Sequence, residues 1–242
     1  MFVSNFSLKT MVQKALCNIQ EIMDFSADHP AREMRKIALR ETVEYIRTKM
    51  VSALGFYTAR ELFDHSIDKI SLESGYVLEF GVFDGGTINY LGKKKPKTTI
   101  HGFDSFEGLP EAWFGYNMGK GTFNRGGALP SVGNNVKLHK GWFNETLPGW
   151  IEQNKGPIAF LHIDCDLYSS TKTIFDLLGG RLVKGSVIVF DEYFGYPNWQ
   201  AHEFRAFQEF VEKNSIKYEY LGYARIQTAV LIVDNPSSNL GP

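Results

Sequence analysis

The sequence predicts an α/β protein, a Rossmann-like doubly wound sheet of seven strands preceded by a helical segment. Three observations predict it. From Tyr76 onward, short apolar runs alternate with helical stretches, which argues for parallel strands covered on both faces. Only a few residues separate the last two runs, hairpin spacing that makes them antiparallel. The first 70 or so residues carry apolar positions at steps of three and four, the helical period. The expected division is a helical segment over 1–70, acting as cap or oligomerisation element, and one domain over 71–242.

Taken in order, Leu8, Val12, Ala15, Ile19 and Met23 mark a first helix. Leu39, Val43, Ile46, Met50 and Leu54 mark a second, which Pro30 is placed to begin, and a short third covers Thr58 to Ile70. Such amphipathic helices need a surface to pack on, the main domain or a partner subunit. A homodimer across a two-fold axis is the expectation. Five parallel strands follow at "YVLEFGV", "TTIHGF", "NVKLH", "IAFLHID" and "SVIVFDEY", with helices at "NETLPGWIEQN" and "SSTKTIFDLLGG". "NWQAHEFRAFQEFVEK" is an amphipathic helix with Phe204, Phe207 and Val211 on one side. "KYEYLGY" and "RIQTAVLIV" form the closing antiparallel hairpin. Residues 105–135, rich in Gly, Pro and Asn, form a long loop placed to act as a lid.

Composition excludes several classes. With 43% hydrophobic and 22% charged residues the chain is an ordinary globular one rather than a disordered or fibrous one. A net charge of -1 builds no field for nucleic acid, and the one dense basic run, "KKKPK", reads as a solvated turn. The 2 cysteines, Cys17 and Cys165, are too few for a disulfide framework. Neither a signal pattern nor an apolar run of membrane-spanning length is present, so a soluble cytoplasmic protein is expected.

Ligands of open parallel sheets bind at the carboxyl ends of strands near the switch point. The first parallel strand ends in "LEFGVFDGGT", with glycines at Gly81, Gly85 and Gly86. Phe83 stands where a dinucleotide fingerprint needs its second glycine, which disfavours a nicotinamide oxidoreductase. Glu79 and Asp84 flank the loop and would repel phosphate, but they suit an ammonium or sulfonium charge. Asp104 ends the next strand, about 25 residues after Glu79, near the spacing at which an acid chelates ribose hydroxyls. A ligand with a ribose, a positive charge and no phosphate is S-adenosylmethionine (SAM). A plain glycine turn remains the alternative.

Four carboxylates also cluster where two later strands end, Asp164 and Asp166 in "HIDCDLYSST" and Asp191 and Glu192 in "VIVFDEY". Converging like charges raise one another's pKa and weaken a fold unless a cation sits among them. That argues against a non-catalytic nucleotide-binding module. Asp166 precedes a helix, and a capping role stays open for it. Cys165, between the acids, reads as a packed small residue.

"VLEFGVFDGGTINY", "GFDSFEGLPEAW", "KGWFNETLP", "AFLHIDCDLYSST" and "VIVFDEY", in this order, resemble the macrocin O-methyltransferase family from about Tyr76 to Val233. That family comprises class I SAM-dependent enzymes that methylate sugar hydroxyls on natural products. The resemblance implies a donor site that adds Ser105, Gly141, Trp142 and Asp164 to Glu79, Gly81, Phe83, Asp84, Gly85 and Asp104. It further implies a divalent metal, usually magnesium, on Asp164, Asp191 and Glu192, and Asp166 as general base. Relatives often carry two aspartates where this chain has Asp191-Glu192. The acceptor so implied is a hydroxyl of a sugar or other polyol. A catechol-type O-methyltransferase uses the same logic on a flat ring and stays open, favoured if an aromatic slot near Trp113 lacks polar groups. Trp113, Phe114 and Tyr116 are placed to wall the acceptor pocket or to pin the loop, and for His202 facing the acceptor is the lesser alternative. His139 and His162 read as satisfied structural histidines.

Overall fold

The computed structural model describes residues 29–238 apart from Glu73 and Asn117. The helix expected over Leu8 to Met23 lies outside the described residues, as does Cys17. Helix α1 (Pro30–Lys49) begins on Pro30, whose fixed φ suits the first helical turn. Strand β1 (Leu54–Gly55) and helix α2 (Ala59–Asp68) follow, the latter opened by a reciprocal capping box between Thr58 and Glu61. The domain then runs β2 (Tyr76–Phe80), α3 (Gly86–Lys94), β3 (Ile100–Asp104), β4 (Val136–Lys140), α4 (Phe143–Gln153), β5 (Ile158–Ile163) and α5 (Tyr168–Leu178). It closes with β6 (Leu182–Phe190), α6 (Glu203–Asn214), β7 (Lys217–Ala224) and β8 (Gln227–Asp234).

The sheet has 8 strands in the order β1-β7-β8-β6-β5-β2-β3-β4, one more than expected. Strands β2 to β6 are mutually parallel, and β8 inserts antiparallel between β6 and β7, as the hairpin spacing predicts. The extra strand is β1, which pairs parallel with β7. The helical period counts Leu54 into the preceding helix, but α1 ends at Lys49 and Leu54 pairs with Gly222. A Cβ at Gly222 would lie 2.8 Å from the Leu54 carbonyl oxygen, so a bare α-carbon is what admits the edge strand.

Strand alternation divides the core into two layers. Leu78, Phe80, Leu161, Ile163, Ile188 and Phe190 share one cluster with residues of α4, α5 and α6. Val77, Phe160, Val187 and Val189 share the other with Leu62 and Phe63 of α2 and Ile88 and Leu91 of α3. The described part of the N-terminal segment is built into the same body. Tyr45 of α1 packs edge-on against Phe204 and Tyr220, while α2 covers the second layer. Helix α1 buries Ala38 and Thr42 in place of the expected Leu39 and Val43, which are 58% and 55% exposed, while Ile46 packs against the core and Met50 just beyond the helix is buried, as expected. Along α6 the stripe holds Glu203, Ala206, Phe207 and Phe210, so Phe207 lies within it and Phe204 and Val211 at its margins. Among the described residues no helix is long and apolar enough to cross a membrane.

Candidate active site

The order of strands reverses between β2 and β5, and their ends meet closely there. Gly81 leaves β2 at φ +91, and a Cβ on it would sit 1.7 Å from the carbonyl oxygen of Asp164 at the end of β5. Glycine is therefore required both by conformation and by contact. Beside this junction opens a cleft of about 580 Å³, walled by Gly81, Phe83, Asp104, Ser105 and Trp142 toward one side. Asp164, Asp166, Asp191 and Glu192 line its floor, and no Lys or Arg is among the described residues that line it.

Asp104 does more than face the cleft. Its Oδ2 accepts from the backbone N–H groups of Val82 and Phe83 at 2.8 and 2.9 Å, and its Oδ1 from that of Phe106 at 2.7 Å. The carboxylate thus fixes the glycine loop, and Oδ1, with a single N–H bond, keeps a second lone pair for a ligand. Phe83 holds φ 46, a strained value for a bulky residue, and packs edge-on against Phe123 of the long loop.

Four of the expected donor-site residues stand outside the cleft wall. Glu79 is fully buried on the α2/α3 face of β2, because β2 alternates and its Leu78 and Phe80 take the other side. Its Oε2 lies 3.1 Å from Nδ1 of His162. Asp84 accepts from the Gly86 N–H at 3.0 Å, a local side-chain turn just before α3. Gly85 is buried in that same turn at φ +84. Gly141 donates its N–H to the Asp104 carbonyl, continuing the β3–β4 pairing rather than facing the ligand space.

The acidic floor resolves into two overlapping sets. Side-chain donors of Asp164, Asp166 and Glu192 lie within 4.8 Å of one another, and so do those of His162, Asp164 and Asp191. Asp164 belongs to both, whereas Asp191 and Glu192, though adjacent in sequence, fall into different sets. Asp191 turns toward the other layer, where Gln227 Nε2 donates to its Oδ1 and His162 Nε2 stands 3.9 Å away. Glu192 is buried with Oε2 lacking a hydrogen-bond partner among the described residues.

Electrostatics follow from burial and crowding. Burial, then the Asp191 charge, holds Asp164 well above the usual carboxylate range. The same causes act on Glu192. Asp166 is pushed up to about 7 by burial, against the lowering pull of its hydrogen bond with Glu192. Burial would raise Asp191 too, but its pairing with His162 outweighs it and leaves the group below the ordinary value. His162 is the counterpart. Burial would lower it, yet the Asp191 and Glu79 carboxylates carry it well above the usual imidazole range. It is a buried, partnered histidine, as its apolar setting predicts.

Sequence reasoning misses Glu203. It is the first residue of α6 and fully buried, with Oε1 accepting from the N–H groups of Cys165 and Asp166 and Oε2 from that of Glu192. The signal was present, since Glu203 stands four and seven residues before Phe207 and Phe210, a carboxylate on an apolar stripe. Cys165 is packed, with Sγ 3.5 Å from Thr171 Oγ1. His202 is absent from the cleft wall and lies with Nε2 2.8 Å from the Phe114 carbonyl oxygen. Trp113 and Tyr116 wall the cleft with ring centroids 4.3 Å apart, while Phe114 points away and is exposed. Residues 105–135 are a loop, as expected, tied down by paired backbone bonds between Leu109 and the Gly121–Thr122 turn.

Comparison with known proteins agrees with this architecture. The crystal structure of CalS11, calicheamicin methyltransferase, superposes with a TM-score of 0.57 at 20% identity, covering 95% of each chain. The O-methyltransferase NovP gives 0.55 at 21% identity, covering 72% of this chain and 77% of that one. The chain shares the fold of these proteins. A curated relative from Streptomyces olivaceus, "8-demethyl-8-(2,3-dimethoxy-alpha-L-rhamnosyl)-tetracenomycin-C 4'-O-methyltransferase", is 28% identical over 147 residues. The match covers 49% of this chain and spans about half the relative's length, 53%. Residues 120–221, from the loop after β3 into β7 and across the whole acidic floor, match the Macrocin-O-methyltransferase (TylF) family, the family that the motifs resemble.

Proposed function

We propose that the chain transfers a methyl group from SAM to a hydroxyl of a sugar or polyol-like small molecule, with a divalent metal at the acidic floor. One observation carries the reading: carboxylates of Asp164, Asp166 and Glu192 converge in a cleft that no Lys or Arg lines among the described residues, and a buried Glu192 oxygen has no partner among them. Hard oxygen donors in that number, open to a cleft, fit magnesium. Asp164, Asp166 and Glu192 would hold it, with Asp191 against the same rim. A metal there would supply charge neutralisation and a lowered hydroxyl pKa.

The remaining roles belong to the chain. Gly81, Phe83, Asp104, Ser105 and Trp142 would bind the donor, with Asp104 placed for the ribose and Trp142 for the adenine. Asp166 offers two carboxylate oxygens at the cleft floor, so beside its role as a ligand it is suited to accept the proton of the acceptor hydroxyl as that oxygen attacks the methyl carbon in line. The products are a methyl ether and S-adenosylhomocysteine. Ser169, Ser170, Thr173 and Asn144 also line the cleft and suit a polyol's hydroxyls. Their presence favours a sugar over a bare aromatic diol, although the Trp113–Tyr116 wall keeps a catechol acceptor as second reading. The relative that methylates a rhamnosyl group supports a deoxysugar glycoside as the acceptor class. Calorimetric titration with SAM, in magnesium and in EDTA, followed by acceptor screening with free, nucleotide-linked and glycosidic deoxysugars and with catechol, tests the reading. Saturable SAM binding and methylation of a sugar uphold it; no SAM binding in either buffer overturns it.

A further inference from the structure

We propose that Glu203 is the positioning residue that holds the two acidic loops in register with each other. The consequence for metal affinity rests on the function proposed above. The ladder of the parallel sheet stops short of the acids. Asp164 N–H to Phe80 and Asp191 N–H to Ile163 are its last bonds, and the chain beyond them leaves regular structure. Asp166 sits at φ 66, a left-handed value that no sheet bond imposes. One carboxylate from a third element bridges the backbones of the two loops, beside the hydrogen bond between the Asp166 and Glu192 side chains and the Tyr193 N–H bond to the Ile226 carbonyl. Glu203 Oε1 takes the N–H of Cys165 at 3.4 Å and of Asp166 at 3.1 Å, while Oε2 takes that of Glu192 at 3.3 Å.

Geometry makes this more than a buried acid. A carboxylate has its two oxygens about 2.2 Å apart in a rigid plane, and here each oxygen serves a different loop. Placement at the first turn of α6, at the positive end of the helix dipole, supports the buried group. Two of the three N–H groups belong to residues whose own side chains form one of the candidate ligand sets, Asp166 and Glu192. A shift of Glu203 therefore moves both ligands at once, although Glu203 does not itself line the cleft.

Two variants separate positioning from charge. Glu203→Gln keeps the shape but turns a donor toward one of the N–H groups. Glu203→Asp keeps the charge but retracts the carboxylate by one methylene. Positioning predicts that both weaken Mn²⁺ binding, read by calorimetry or electron paramagnetic resonance on the full chain, by tenfold or more. Both should also speed exchange of the Asp166 and Glu192 amides in NMR. A charge-only role leaves Glu203→Asp near wild type, and a purely structural role lowers the melting temperature without altering Mn²⁺ affinity or those two amides; either overturns the proposal. Should neither variant fold, wild-type exchange decides. Asp166 and Glu192 amides as protected as those of β5 uphold the proposal, and amides that exchange like an open loop overturn it. A wild-type chain that binds no Mn²⁺ removes the metal from the proposed function, and the exchange data still decide the role of Glu203.

Discussion

Gly81→Ala probes the junction on which the cleft depends. The added methyl meets two separate penalties. At φ +91 an L residue bears a backbone cost of about 1–2 kcal/mol. Its Cβ would also lie 1.7 Å from the Asp164 carbonyl oxygen and 2.7 Å from the carbonyl carbon, contacts no side-chain rotation can relieve. The ends of β2 and β5 must then separate by more than an ångström, an overpacking cost of about 1–3 kcal/mol. Together the loss is about 2–5 kcal/mol, against a total stability of about 5–15 kcal/mol for a domain of this kind. Urea unfolding followed by tryptophan fluorescence should show a lower midpoint at unchanged slope. SAM affinity should fall in parallel, because the same displacement moves the glycine loop and Asp164. A loss below about 0.5 kcal/mol, the size of an ordinary surface substitution, would show that the strand ends are free to part and that the close approach is no constraint.

Glu192→Gln should raise the melting temperature of the metal-free chain at neutral pH, since burial and crowding favour the protonated carboxyl in the folded chain while the unfolded chain leaves it ionised. It should also abolish Mn²⁺ binding, and a variant that melts below wild type refutes the crowding argument. His101, in a buried contact with His139 and the Trp150 indole N–H, is held down to about 4 by burial first and then by the His139 and Lys137 charges. Its folded pKa is below the unfolded one, so the unfolded chain binds more protons between about pH 4 and 6.5. The contribution is complete above about pH 6.5 and is lost as pH falls toward 4, about 2 kcal/mol after allowing for solvent screening. The pH slope of stability should be smaller in His101→Leu over that window, and equal slopes would contradict the assignment. His202→Ala removes the tie to the Phe114 carbonyl and should raise the acceptor KM about tenfold while leaving SAM affinity unchanged. Equal KM values would show that the loop is held without it.

What could be read in advance, and what could not, divides along the range of the forces involved. Parallel pairing and the closing hairpin follow from local periodicity and connection length, and the structure has them. A two-residue edge strand has no period to detect, and β1 exists because Gly222 leaves room for the Leu54 carbonyl. The face buried at the middle of α1 was hidden for a related reason. Ala38 and Thr42 bury because Tyr45 must reach Tyr220, a partner 175 residues away, while larger Leu39 and Val43 stay outside. The same limit governs the site. Acids at strand ends are visible as a pattern, but the face that each takes depends on pleat. Glu79 shares its strand with the glycine loop yet turns to His162, and Asp191 and Glu192 part company at a single peptide bond. Glu203 marks the far end of that limit. A carboxylate on an apolar stripe is a local anomaly that costs stability unless its lone pairs are filled. The anomaly alone says that buried donors must converge there. Which donors they are, the backbone N–H groups of two other loops, follows only from the folded chain.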